Sequence, residues 1–132
     1  MVIRRPTRKV IVGDKEHGFV GIGGDSPVSV QSMTAGFTYE IDKYIAEIHK
    51  LAAAGADMVR VAVPEKKDTA ALKEILPQVS VPIIGDKWGG CAFSFSAGVG
   101  SYHKIRLNPG NISDHAQVRD VMLWQQQQCQ CR

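Results

Sequence analysis

Residues 58–85, MVRVAVPEKKDTAALKEILPQVSVPIIG, decide the fold. Met58 to Val63 is a valine-rich run of strand character. Pro64 to Leu76 then carries Ala70, Ala71, Leu72, Ile75 and Leu76 at helical spacing. Pro77 and Pro82 bracket a turn, and Val81 to Gly85 reads as the next strand. Strand, helix and strand in that order form a βαβ unit, in which the two strands run parallel and the helix makes the crossover.

The same unit repeats in both directions along the chain. Upstream, Val28 to Met33 alternates apolar and polar residues, and Tyr39 to Ala54 places Ile41, Tyr44, Ile45, Ile48, Leu51 and Ala52 on a helical stripe that Gly55 ends. Downstream, His103 to Leu107 is a fourth strand, followed by Asn108-Pro109-Gly110-Asn111 and a helix from Asp114 to Trp124 that Ser113 can cap. Ahead of these units, Lys9 to Gly13 and Gly18 to Gly24 form a hairpin. The fold class expected is α/β: an N-terminal β-hairpin and about four β/α units, a partial (β/α)8 TIM barrel. An open doubly wound sheet shares this order. It lacks support because Met33-Thr34-Ala35-Gly36 stands where a G-x-G-x-x-G turn would follow the first strand.

Residues 1–122 are expected to form one substrate-binding domain, irregular over 87–102, where the segment from Trp88 to Ser101 is rich in glycine and serine. Residues 123–132 form a glutamine-rich tail expected to be disordered. Half a barrel leaves sheet edges open, so a homo-oligomer is expected.

The chain is 44% apolar and 22% charged, which excludes disorder as its general state. Sixteen basic against thirteen acidic residues leave a net charge of +3, suited to anions but too small for a nucleic-acid footprint. No apolar run reaches the roughly 18 residues of a membrane span. Three cysteines, Cys91, Cys129 and Cys131, do not make a disulfide framework, and a cytoplasmic location is expected.

Strand parity selects the polar groups. Val59, Val61 and Val63 share one face and Arg60 and Ala62 the other; Ile105 and Leu107 share one face and Lys104, Arg106 and Asn108 the other. With the valine face under the helices, Arg60 and Arg106 point into the barrel, together with Gln31 from the first strand and Asp86 from the end of the third. Two guanidiniums at the C-terminal mouth, where barrel enzymes keep their sites, suit the oxygens of a phosphate ester. The same spacing also fits a polar layer in which Asp86 neutralises Arg60 or Arg106 with no ligand. Asn108-Pro109-Gly110-Asn111 is likewise either a plain turn or an amide-lined phosphate seat.

Several segments, in order, resemble one family. They are Arg5 and Thr7-Arg8, Ile22-Gly23-Gly24, Val30-Gln31-Ser32-Met33-Thr34, Ala54-Gly55-Ala56-Asp57 with Val59-Arg60-Val61, Val81-Pro82-Ile83 with Asp86, and Ile105-Arg106-Leu107-Asn108-Pro109-Gly110-Asn111-Ile112. Together they are similar to the N-terminal region of the hydroxymethylbutenyl diphosphate synthases. The resemblance implies an iron-sulfur oxidoreductase of the non-mevalonate isoprenoid pathway. Its substrate is methylerythritol cyclodiphosphate, its cofactor a 4Fe-4S cluster on a separate C-terminal domain, its electron donor flavodoxin or ferredoxin, and its assembly a dimer. By motif position, Arg60, Arg106 and Asn108 match residues that hold the diphosphate and Asp86 matches a carboxylate at the barrel mouth; Asp86 is expected to be catalytic, and Gln31, from its place on the same face, to bind substrate.

The departures are specific. The family's Asp-x-His-Phe becomes Asp86-Lys87-Trp88-Gly89, which puts Trp88 in place of a histidine. Strands five to eight and the iron-sulfur domain are absent, so the isolated chain is expected to be inactive. The Cys129-Gln130-Cys131 pair is read as incidental, and no metal ligand is expected within the chain. The alternatives are a shortened or frame-disrupted product acting at most as an interaction module, or another phosphate-binding barrel such as a pteroate-synthase-like enzyme.

Overall fold

The computed structural model describes residues 5–87 and 102–108, together with Arg119 and Leu123. Strands β1 (Val10–Asp14) and β2 (Gly18–Ile22) pair antiparallel, from Val10 opposite Ile22 to Asp14 opposite Gly18. Gly13 makes the turn possible. Its φ is 116°, and a Cβ there would lie 1.9 Å from the Gly18 carbonyl oxygen. The Asp14 carboxylate then accepts the amides of Glu16 (2.9 Å) and His17 (2.8 Å), holding the turn in place of backbone pairing.

A four-stranded parallel sheet follows, in the order β3 (Gln31–Met33), β4 (Met58–Ala62), β5 (Ile83–Lys87), β6 (Lys104–Leu107). Helix α1 (Ile41–Ala53) links β3 to β4, and α2 (Lys66–Ile75), extended by a 3₁₀ turn over Leu76–Gln78, links β4 to β5. Gly55, at φ 101°, ends α1: its amide reaches the Ala52 carbonyl while that of Ala56 reaches Leu51. Pro64 and the extended Glu65 delay the start of α2 to Lys66, where the Glu65 amide donates to Asp68 Oδ2 at 2.8 Å.

Both helices lie on one side of the sheet. Val59, Val61, Val63 and Ile83 meet Tyr44 and Ile48 of α1 and Ala71, Leu72 and Ile75 of α2, all buried. Each fully buried Val, Leu or Ile there contributes roughly 1.5–3 kcal/mol. The valine parity read from sequence thus holds, and it leaves Arg60, Asp86 and Arg106 on the other face.

Strand limits differ in instructive ways. The first strand shortens to Gln31–Met33, because Val28 is 84% exposed and Val30 spends its amide on the Asp57 side chain, its carbonyl accepting from the amides of Asp57 and Met58. The third shifts from Val81–Gly85 to Ile83–Lys87. Pro82 has no amide to give a ladder and contributes only its carbonyl, to Val59. Asp86 is therefore within a strand and not beyond its end.

The structure contains an α/β parallel sheet, and no closed barrel is formed by the described residues. The irregular stretch from Trp88 to Ser101, the Pro109–Asn111 part of the loop, the glutamine tail and the Ser113-capped helix lie outside the described residues, save for Arg119 and Leu123, both helical.

Candidate functional site

Register brings the site together. Met33 pairs with Arg60, Arg60 with Ile84, Ala62 with Asp86, and Asp86 with Arg106, so Met33, Arg60, Asp86 and Arg106 share one face across four strands. Arg106 Nη1 donates to both Asp86 oxygens at 2.9 Å. Arg60 Nε approaches Asp86 Oδ2 at 3.3 Å from the other side. Asp86 is buried, its side chain 1% exposed, whereas Arg60 retains 26% and Arg106 38%. One carboxylate between two guanidiniums leaves one positive charge in excess, on side chains that remain partly exposed.

Met33 completes the arrangement. Its Sδ accepts from Arg60 Nη2 at 3.0 Å and Nε at 3.3 Å. The sequence reading passed over it as an apolar residue, although the parity that selected Gln31 selects Met33 as well. Gln31 itself lies two residues earlier, exposed and level with Met58, and takes no part in the hydrogen bonds joining the other four. Asn108 is half-buried, one residue beyond β6, and has the parity of Arg106.

The loop from β3 to α1 borders this end of the sheet and is held at several points. Ala35 and Gly36 amides donate to the Glu47 carboxylate at 2.9 and 3.2 Å. The Thr38 hydroxyl donates to the buried Asp68 carboxylate of α2, and the hydroxyls of Thr34 and Tyr44 bond to each other. Burial pushes the Tyr44 hydroxyl upward, so it stays protonated and available as a donor.

A second cluster occupies the opposite end of the sheet. His17 Nδ1 lies 2.7 Å from Asp14 Oδ1 and its Nε2 donates to the Leu76 carbonyl at 2.8 Å; His103 Nε2 lies 2.9 Å from Asp14 Oδ2. These bonds tie the hairpin to the sheet. Burial works against the charged form of His17, but the Leu76 carbonyl and the Asp14 carboxylate outweigh it and raise its pKa above the ordinary 6.5. Burial alone would raise Asp14. Hydrogen bonds from His17 and His103 prevail and hold the carboxyl well below the usual carboxylate range.

Two histidines and an aspartate within 4.8 Å have the composition of a metal site. The tautomer opposes it. The Ile83 amide donates to His103 Nδ1 at 2.9 Å, so that nitrogen carries the lone pair and Nε2 carries the hydrogen. A metal on Nε2 would require an imidazolate, whereas liganding histidines ordinarily donate from their other nitrogen. Protons, not an ion, hold this cluster.

The family model described as the GcpE TIM-barrel domain matches residues 7–132. The chain belongs to this family. Its relatives named 4-hydroxy-3-methylbut-2-en-1-yl diphosphate synthase (flavodoxin) include those of Persephonella marina, 44% identical, and Aquifex aeolicus, 39% identical. Each comparison covers 92% of this chain and 33% of the relative, and that from a Sulfurihydrogenibium species, at 40% identity, covers the same shares. This GcpE chain thus spans about a third of the length of the curated relatives it matches. The resemblance noted from motif order is confirmed by these matches.

No cysteine lies among the described residues of the GcpE chain, so they provide no thiolate for an iron-sulfur cluster. Among the described residues, no helix is long and apolar enough to cross a membrane.

Proposed function

We propose that this GcpE chain supplies the diphosphate-holding part of an enzyme that reductively opens methylerythritol cyclodiphosphate to hydroxymethylbutenyl diphosphate. The observation that carries this reading is the buried Asp86 carboxylate shared by two partly exposed guanidiniums, Arg60 and Arg106. A site meant only to neutralise charge needs one cation per carboxylate. The second leaves a surplus that a diphosphate can take up.

In this reading Arg60 and Arg106 contact phosphate oxygens, while Asn108 and Gln31 supply neutral hydrogen bonds further along the same face. Asp86, the carboxylate assigned to the chemistry, first fixes the direction of both guanidiniums. A 4Fe-4S cluster, reduced by flavodoxin or ferredoxin, would supply electrons from outside the described residues. On the family pattern it works as a homo-oligomer in the cytoplasm, with no nucleic-acid or membrane partner.

Calorimetric titration of the chain with inorganic pyrophosphate tests the reading. Saturable binding that Arg106→Ala and Arg60→Ala each weaken supports it. A chain whose variants lose thermal stability while wild type binds no pyrophosphate is a polar layer instead.

A further inference from the structure

Arg60 touches two unlike groups, a carboxylate by ion pairing and a thioether by hydrogen bonding. Asp86 Oδ2 lies 3.3 Å from Nε, and the Met33 thioether accepts from both Nε and Nη2. We propose that Met33 is a positioning residue for Arg60 in the diphosphate site, an inference that rests on the function proposed above. Fixing a guanidinium costs side-chain entropy, and a group already oriented loses less of it when the ligand arrives.

The chemistry of the acceptor fits this task. Two cations and one carboxylate leave a single positive charge, and a second carboxylate in place of Met33 would cancel it. A thioether accepts hydrogen bonds without adding charge, and its weak hydration makes it cheap to cover with a ligand. Placement fits as well. Met33 is the last residue of β3 and is 36% exposed, on the strand that borders Arg60, so its side chain meets the Nε and Nη2 side of the guanidinium outside the packed core. A methionine serving only as packing would sit on the helix side, with Val59 and Val61.

The experiment is calorimetric titration of the full 132-residue chain with inorganic pyrophosphate, with melting curves to verify folding of each variant. Met33→Leu keeps bulk and removes the acceptor; it weakens binding about 2–10-fold, the worth of a neutral hydrogen bond. Met33→Gln restores a neutral acceptor and brings affinity back to within about twofold. In an Arg60→Ala background, Met33→Leu changes nothing further. Wild-type affinity in Met33→Leu, or an equal loss with and without Arg60, overturns the role of Met33 and leaves the diphosphate site standing. Absence of pyrophosphate binding by wild type overturns both.

Discussion

Arg106 turns a single nitrogen, Nη1, toward both oxygens of Asp86, 2.9 Å from each. This is not the fork-to-fork pairing in which two nitrogens of a guanidinium meet two oxygens. The Nε and Nη2 side of Arg106 is not used by Asp86, and on the proposed reading it is the side that meets the diphosphate. Asp86, by contrast, is sealed by its two partners.

That asymmetry sets the first prediction. Either arginine alone leaves the buried carboxylate with a counter-charge, so Arg60→Ala and Arg106→Ala should each be milder in urea unfolding than loss of both. The double variant strands a buried charge and should lose more than the sum of the singles, by about 1–3 kcal/mol. Additive losses would show that the two guanidiniums act independently.

A pH dependence follows from the hairpin clip. His17 is faced by Asp14 and Glu16 of its own hairpin, by the Leu76 carbonyl and by the His103 ring at 4.6 Å. Its raised pKa gives stability that is complete below the ordinary 6.5 and is lost as pH rises through the folded value. Asp14, depressed, gives stability that is present above 3.8 and lost as pH falls. The difference in urea midpoint between wild type and His17→Gln should therefore be largest between about pH 4 and 6.5 and shrink on the alkaline side. A difference that grows above neutrality would reverse the assignment.

The hairpin turn offers a steric test. Gly13→Ala places a methyl where the Gly18 carbonyl oxygen already stands and forces an L-residue to a φ of 116°. It should destabilise by more than about 1 kcal/mol and speed amide exchange of His17. An unchanged unfolding midpoint would mean that the turn can reshape freely.

For the chemistry, the isolated chain incubated with methylerythritol cyclodiphosphate and reduced flavodoxin should give no product above a protein-free control. On the proposed reading, ring opening needs two electrons delivered through a cluster that this part of the enzyme does not itself hold. Product formation would require another electron route.

Much of this was legible in the sequence because period and parity are local. Two valine-rich runs around a helical pattern fixed the βαβ unit, and alternation placed Arg60 and Arg106 on the face opposite the helices. Strand ends were harder to place, since Pro82 and the exposed Val28 act through ladder partners that no local pattern names. The Asp14, His17 and His103 cluster was invisible, because the hydrogen bond between Asp14 and His103 spans 89 positions. Met33 was missed for a different reason: an apolar label hid its capacity to accept a hydrogen bond.

The bond from Asp14 to His103 has a consequence for synthesis. Translation delivers the hairpin first, the Leu76 carbonyl that His17 reaches 59 residues later, and His103 only 89 residues after Asp14, so docking of the hairpin is completed in two steps as the βαβ units assemble behind it. Docking then closes a long loop late and reports that the fourth strand has taken its place. A chain stalled before His103 would hold its hairpin by the Leu76 contact without the Asp14–His103 bond, and would be more open to proteases there.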